Sequence, residues 1–358
     1  MANFDDMKLA VEALTGGKNT VILDDMDMPS IMVRWEKQKL SALISGGSDA
    51  IHPGSIVNGV EKTMYISKYQ NIVVNDRAYS LPFQDPKASN NFDAALAACR
   101  NKKTDGGAWC LTPYSLWAEI ALWCRKNGTM PRGNNNWGKD HSYLHEKGTP
   151  TTYESATAAS HPGEPARCAT GSGPATWNHN WQPDGIADLN GNVAEWVAGM
   201  RLVDGVIQII PNANVMDPDV SLGASSTYWK AINASGAMVD VGSTDTLKYD
   251  WVSSHLQLKK GAVTDTEATN RSHPFTTMTL ESGLTVPELA KALILYPDEP
   301  NGDYGGDYHY ANMSGERLPI CGGNWNSGAS AGVFFVNLFF LRSHSYSYIG
   351  FRSAFVDL

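Results

Sequence analysis

The spacing of apolar residues predicts a few helices along the chain. Residues 4–14 carry apolar side chains at helical spacing, and the run stops at Gly16-Gly17. Phe92–Arg100 and Ser115–Arg125 show the same periodicity and are the two best helical segments. A shorter helix is expected near Val286–Leu293. The chain therefore has helices, but they account for a small part of its length.

Short runs of apolar and β-branched residues between Gly, Pro and Asn predict strands. They are Thr20–Leu23, Met64–Tyr69, Asn71–Val74, Val206–Ile210 and Lys248–Val252. Residues 126–186 are dominated by Gly, Asn, Pro, Ser and Thr, which indicates ordered loops. Together these patterns predict an α+β fold with two main helices, short antiparallel strands and extensive ordered loops.

The pattern changes along the chain in a way that suggests an organisation into parts. Gly and Pro break the chain between Gly46 and Gly54, so residues 1–60 are expected to form a small N-terminal attachment or assembly segment. Residues 61–358 then form the main domain. Within it, strand-like runs alternate with polar stretches over residues 201–300, which is typical of an insertion.

Composition narrows the class of protein. The 358 residues carry a net charge of −9, and 18% are charged, against roughly 25% in average soluble domains. An acidic balance argues against a nucleic-acid binder, which needs a basic face. The sequence also has no signal-peptide core and no apolar run long enough to insert in a membrane. Its five cysteines form no metal-binding spacing; we expect buried thiols, with a disulfide framework as the alternative.

Three stretches, taken in order, carry a resemblance to known proteins. They are Leu111–Gly138, Ala187–Val197 and the C-terminal run from Cys321 to Arg352. The chain resembles the C-type-lectin-like fold of formylglycine-generating enzymes. More closely, it resembles the variable proteins of diversity-generating retroelements, which include phage tropism determinants. The resemblance covers residues 61–358, is weakest over 201–300, and implies a C-type-lectin-like ligand-binding domain.

The second stretch contains a turn signal, because Asn190-Gly191-Asn192 tolerates positive φ. Trp196 can then point into the core, while Asp188 and Glu195 hydrogen-bond loop backbone. The alternative is that Asp188, Asn190 and Glu195 bind calcium. The acids within 303–307 likewise form either a loop or a cation site. We expect no cofactor, with a structural calcium ion as the alternative.

The last 37 residues, from Gly322 to Leu358, contain no Lys, Glu, Gln or Met. Chance gives such a gap with a probability on the order of one in a thousand. The resemblance implies a cause, since retroelement mutagenesis of adenines in Asn codons yields Phe, Tyr, His, Ser or Asn but never Lys, Glu, Gln, Met or Trp. It implies a hypervariable region over residues 322–350. The positions that match variable, ligand-binding sites are Asn326, Ser327, Ser330, Phe335, Asn337, Phe339, Phe340, His344, Tyr346 and Tyr348.

The alternation of side chains along a strand is compatible with a division into variable, outward-facing positions and fixed core positions. Val336 and Leu338 are expected in the core, with Phe335, Asn337 and Phe339 facing out. Over Ser343–Tyr348 the aromatic residues are expected on one side and the serines on the other. The residues expected to support this face are Trp325, Arg342, Asn190, Asn192, Glu195 and Trp196. The alternative is a buried strand pair in which Phe335, Phe339 and Phe340 are core.

The sequence thus predicts a non-enzymatic variable binding protein whose ligand is a host-surface protein or a glycan. We expect a phage tail-fibre location, with synthesis in the host cytoplasm, attachment to the virion through residues 1–60, and a homo-oligomer such as a trimer. A bacterial surface adhesin is one alternative, and a fixed structural virion protein is another. A formylglycine-generating oxidase is disfavoured, because the copper-binding cysteine pair of that family has no counterpart in Leu338–Ala354.

Overall fold

A computed structural model describes residues 4–358, and most of its regular structure is β-sheet with few helices. The fold is therefore mixed α+β. The helices are α1 (Phe4–Thr15), α2 (Leu40–Leu43), α3 (Phe92–Arg100), α4 (Tyr114–Asn127) and α5 (Glu288–Ala292). Three of the predicted helices, α1, α3 and α4, match to within two residues at each end, and α5 is shorter than expected.

The strands are mostly short. They are β1 (Asn19–Leu23), β2 (Pro29–Trp35), β3 (Ile56–Val57), β4 (Val60–Glu61), β5 (Met64–Ser67), β6 (Ile72–Val74), β7 (Arg77–Tyr79), β8 (Gly107–Leu111), β9 (Ala194–Trp196), β10 (Met200–Val203), β11 (Val206–Ile209), β12 (Lys230–Ile232), β13 (Met238–Asp240), β14 (Lys248–Val252), β15 (His255–Lys259), β16 (Arg271–Pro274), β17 (Thr279–Leu280), β18 (Tyr308–Ala311), β19 (Glu316–Cys321), β20 (Val336–Phe340), β21 (Ile349–Phe351) and β22 (Ser353–Asp357). The five strands predicted from apolar runs between residues 20 and 252 are present.

The helix ends follow local signals. The Asn91 side chain accepts a hydrogen bond from the backbone N–H of Ala94, at 2.8 Å, and so caps the first turn of α3. Helix α4 ends at Gly128, whose φ of 66° is the left-handed conformation that glycine adopts at low cost. The buried face of α4, which includes Leu116 and Ile120, lies in the main core. These local features explain why both helices could be located from sequence.

Two sheets organise the molecule. One has five strands in the order β1-β2-β5-β22-β8, so the C-terminal strand lies between strands from the first third of the chain. The other contains thirteen strands, and β20 lies in it between β18, which is parallel, and β19, which is antiparallel. Strand β20 is therefore an interior strand with neighbours on both edges.

The boundary expected at residue 60 does not coincide with a break in the sheet. Strand β2 pairs with β5, and Met32 and Val33 are buried. Strands β10 to β15 likewise continue the large sheet through the pairing of β10 with β19. Residues 19–35 and most strands of 201–300 are thus built into the same sheets as the rest. A role of residues 1–60 in attachment stays a prediction.

All five cysteines are buried and unpaired, as expected. Burial raises the pKa of each of their thiols. Within residues 4–358, no helix has the length and apolar content needed to cross a lipid bilayer.

Candidate functional site

A buried ion pair holds the frame beneath the C-terminal segment. The Arg352 guanidinium donates two hydrogen bonds of 2.6 Å to the Glu195 carboxylate, and both side chains are almost fully buried. Arg352 also donates to the backbone carbonyls of Ser67 and Ala187. Such a two-point contact neutralises two charges that would each be costly to bury alone. Glu195 therefore serves the fold.

The turn predicted at Asn190-Gly191-Asn192 is present, with Gly191 at φ 79° and Asn192 at φ 62°. A Cβ at Gly191 would lie 2.1 Å from the carbonyl oxygen of Asn134, so only glycine fits there. The Asn192 amide bonds the Gln70 side chain and both backbone groups of Cys168. The Asn190 amide donates to the Pro131 carbonyl and accepts from Asn135. Both side chains are occupied with protein partners.

Three further residues expected to support the face connect the C-terminal segment to the rest of the chain. The Trp196 ring lies 6.1 Å from that of Phe340, and its Nε1 donates to the Asn90 carbonyl. Trp325 is buried, and its Nε1 donates to Glu154 at 2.9 Å. Arg342 pairs with Asp93 at 2.7 Å and also donates to the Leu222 carbonyl. Trp196 thus contacts the C-terminal segment, and Trp325 and Arg342 tie that segment to residues elsewhere in the chain; their supporting role stays a prediction.

Strand β20 is more buried than the sequence predicted. Val336 and Leu338 are in the core as expected, but Phe335, Asn337 and Phe340 are also buried, at 4%, 8% and 8% exposure. The expectation that Phe335 and Asn337 face solvent is therefore wrong. The physical reason is that side chains pack over both faces of the segment: Phe335 packs against Tyr310 on one face, and Phe340 packs against Trp196 and Tyr346 on the other. Of the strand's predicted ligand-binding residues, Phe339 alone stays half-buried.

The outward face of β20 packs against a tyrosine that sequence reasoning did not select. The Tyr310 ring lies 4.9 Å from Phe335 and 5.3 Å from Phe339, and its hydroxyl donates to the Ser330 Oγ at 3.2 Å. Tyr308 lies 5.9 Å from Tyr310. We call these five residues the Tyr310 cluster. The run Tyr308-His309-Tyr310-Ala311 was the available sequence signal, because its two tyrosines lie at alternate positions and share one face of a strand.

The turn at 326–330 leads into this cluster. Asn326 is exposed, while Ser327 and Ser330 are half-buried. The backbone of the turn is fixed, because the Gly328 N–H donates to the Asn135 carbonyl at 2.8 Å and Ser330 Oγ donates to the Ser327 carbonyl at 2.7 Å. The turn thus presents small polar side chains from a backbone that is held in place.

Residues 341–348 form a loop, so the strand expected over Ser343–Tyr348 is absent. Its backbone is nevertheless held by distant partners. The Tyr346 carbonyl accepts from the N–H groups of Ser89 and Ile349, and the Tyr348 carbonyl accepts from Ala194. The serines of the loop are exposed, and Tyr346 is 40% exposed. His344, Tyr346 and Tyr348 nevertheless contact one another while the serines are exposed, so the aromatic residues are grouped as expected although no strand is present to impose it.

The aromatic side chains of this loop pack on one another. Tyr346 and Tyr348 stack with their centroids 5.2 Å apart and their planes 9° apart. Phe340 contacts both of them and His344 through edge-to-face packing. We call these four residues the loop cluster. Among residues 4–358, no ring contact joins it to the Tyr310 cluster, and Phe339 and Phe340 point to opposite faces of the sheet. The single display face expected from sequence is therefore divided in two.

The carboxylates considered as calcium ligands have protein partners. Glu195 pairs with Arg352, and Asp188 accepts a hydrogen bond from the Gly171 N–H at 2.7 Å. Burial raises the pKa of Asp188 to about 6. Within the part of the chain that the structure describes, no group of three or more His, Cys, Asp or Glu side chains is arranged to hold a metal ion.

Comparisons with known proteins find similarity among solved structures. No protein-family model matches the sequence, and no curated protein matches it. A solved structure, variable protein 1 of Treponema denticola, is similar at 12% identity with a TM-score of 0.34. The similarity covers 94% of this chain and 98% of that chain.

Proposed function

We propose that this chain is a non-enzymatic, variable ligand-binding protein with a C-type-lectin-like domain, diversified by a retroelement. The observation that supports the proposal is that the C-terminal segment combines a restrained backbone with exposed side chains. Its turn and its loop have backbones held by distant hydrogen bonds, yet they present Asn, Ser, His and Tyr side chains at the surface. Rigid aromatic residues beside small polar ones have the composition of an antibody paratope.

The burial of the ten candidate positions divides their roles. The surface set, which the ligand would contact, is Asn326, Ser327, Ser330, Phe339, His344, Tyr346 and Tyr348. Phe335, Asn337 and Phe340 are buried and would act by shaping that surface from below. Substitution among Asn, Ser, Phe and Tyr at a buried position changes volume by many atoms, so we expect variation there to be more restricted.

The ligand of this surface is proposed to be a host-surface protein or glycan, and the location a phage tail fibre or, alternatively, a bacterial surface. Display of several copies would raise a modest affinity by avidity. The gap in residue types from Gly322 to Leu358 supports diversification. It makes a genomic prediction: a near-copy of the 3′ end with Asn codons at the ten positions, next to a reverse transcriptase gene.

Two randomised libraries test the proposal, with hen-egg lysozyme as the selection target. One varies Asn326, His344, Tyr346 and Tyr348; the matched control varies the buried Phe335, Asn337 and Phe340 together with Val336. The codons used are those reachable from an Asn codon, except at position 336, which takes an equal mixture of apolar residues. We expect folded lysozyme binders from the surface library and mostly unfolded chains from the buried one. Folded surface variants with no binders would contradict the proposal.

A further inference from the structure

A cavity next to the 326–330 turn, lined in part by Ala331 and Gly332, has the features of a ligand-binding site. Its volume is about 260 Å³, and its lining includes Arg132, Tyr143, Trp181, Asp307 and Gly332. A second cavity of about 480 Å³ adjoins it and shares Met130 and Trp181 with it. We call these two neighbouring cavities together the groove, and the volume of the larger one is in the range of small-molecule sites.

The carboxyl group of Asp307 lines the smaller cavity, and only one of its two oxygens accepts a hydrogen bond from the described chain. Asp307 is 2% exposed. One of its oxygens, Oδ2, accepts from the Phe334 N–H at 2.7 Å, whereas Oδ1 has no hydrogen-bond partner within residues 4–358. No cation in the described chain lies within ion-pair distance of it, and burial raises its pKa well above the usual value. Because Asp307 lines the cavity and the Phe334 N–H occupies only Oδ2, a group bound in the cavity can hydrogen-bond to Oδ1.

Two glycines keep the space beside this carboxyl open. A Cβ at Gly332 would lie 2.3 Å from both carboxyl oxygens, and one at Gly305 would lie 2.9 Å from Oδ1. Either contact is shorter than a real Cβ makes, so a side chain at these positions would displace Asp307 or block it. The absence of side chains at Gly305 and Gly332 therefore allows the cavity to reach the Asp307 carboxyl group.

The residues on the other walls of the smaller cavity indicate which ligand charge it favours. The Arg132 guanidinium lies 3.3 Å from the Tyr143 ring centroid and 5.4 Å from that of Trp181, so the chain itself supplies the cation that these rings attract. Arg132 is in turn neutralised by an ion pair with Glu146. An anion in the smaller cavity would find Arg132 already paired and would face Asp307. A cation would find its aromatic site already filled.

We propose that this groove binds a neutral saccharide, with one sugar ring in the smaller cavity and the next across Trp181. Sugar hydroxyls both donate and accept hydrogen bonds, so one can pair with Asp307 while others reach Ser142 or His141 at the rim. The apolar C–H faces of a sugar pack on exposed parts of the Trp181 and Tyr143 rings. This site is separate from the variable surface, and the proposal does not depend on the function assigned to that surface.

Saturation-transfer NMR with the full chain tests the proposal through two matched probe pairs at millimolar concentration. One pair is chitotriose and its cationic deacetylated form; the other is lactose and anionic 3′-sialyllactose. We expect the neutral member of at least one pair to bind, without added calcium. Binding of only a charged member, a requirement for calcium, or no binding by any probe would overturn the proposal.

Variants locate the binding. Asp307→Asn keeps the size of the side chain and an acceptor for Phe334, and Tyr143→Ala changes a 42%-exposed ring. We expect each to weaken binding at least tenfold, while Tyr153→Ala, on a 62%-exposed tyrosine outside the groove, leaves it unchanged. Tyr346→Ala must also leave it unchanged. Loss of saccharide binding in Tyr346→Ala alone would move the site to the variable surface and contradict this assignment.

Discussion

The strand Val336–Phe340 and the loop 341–348 each carry three of the ten candidate positions but have opposite environments. In the strand, Phe340 packs against Trp196 and is 8% exposed, whereas in the loop Tyr346 is 40% exposed. The difference teaches that the type of a residue does not determine its exposure. The elements that pack over each face determine it.

The loop also shows that exposure does not require an unrestrained backbone. The N–H of Phe92 donates to the Arg342 carbonyl at 3.2 Å, and Arg167 donates to the Ser347 carbonyl at 3.2 Å. These bonds to distant parts of the chain hold the loop without covering its side chains. A surface of this kind can exchange side chains while its backbone keeps one shape, which is what a variable binding site needs.

The strongest test of the comparison is truncation of a buried ring. Phe340→Ala removes a side chain that packs on Trp196 and on the loop cluster. We expect a loss of about 3–5 kcal/mol in the free energy of unfolding, as for other buried phenylalanines. Urea denaturation measures it. A loss below about 1 kcal/mol would mean that the ring is not core and that the strand resembles the loop.

Acid is expected to weaken the sheet around β20. His309, in β18, is buried against Phe275, and its Nε2 has no hydrogen-bond partner within residues 4–358. Burial lowers its pKa to about 3 from the usual 6.5. Between these values the unfolded chain binds a proton that the folded chain does not, so stability is lost as pH falls from 6.5 towards 3. The expected slope is about 1.4 kcal/mol per pH unit for this group.

The variant His309→Phe isolates this effect from other groups. Asp307 titrates with the opposite sign, because burial raises its pKa. The measurement is therefore the difference in unfolding free energy between the wild type and the variant at pH 7, 5.5 and 4. We expect the difference to grow in favour of the variant as the pH falls. A constant difference would show that His309 is not the acid-sensitive group.

A smaller effect is expected from the hydroxyl that links β18 to the turn. Tyr310→Phe removes the hydrogen bond to Ser330 and keeps the ring contacts with Phe335 and Phe339. We expect a loss of about 0.5–1.5 kcal/mol in stability. The control is Tyr308→Phe, whose ring contacts Tyr310 but whose hydroxyl makes no side-chain hydrogen bond in the described chain. Equal losses in the two variants would exclude a positioning role for the Tyr310 hydroxyl.

The smallest effect on stability belongs to the loop. Tyr346→Ala is expected to change the unfolding free energy by less than about 0.5–1 kcal/mol, because the ring is 40% exposed and the backbone contacts remain. Thermal denaturation compares it with Phe340→Ala. A change as large as that of Phe340→Ala would mean that the loop is core, as in the alternative of a fixed structural protein.

Signals that lie close together in the sequence were sufficient for the helices and the central turn. Asn91 caps α3, Gly128 ends α4, and the Asn190–Asn192 turn forms because Asn and Gly accept positive φ. The supporting roles of Trp325 and Arg342 could also be proposed, since their types match scaffold positions in the proteins that the chain resembles. The residue types allowed after Gly322 could be read without any structure.

Only the tertiary structure decided which of the ten candidate positions reach the surface. Phe335 is covered by Tyr310 and Phe340 by Trp196 and Tyr346, and period-two alternation could not show this because it does not say what covers each face. The loop 341–348 takes its shape from Ser89, Phe92 and Ala194, far away in sequence. The groove at Asp307 is likewise formed by segments that meet only after folding. Local chemistry determines turns and helix ends, whereas burial depends on which distant strands become neighbours.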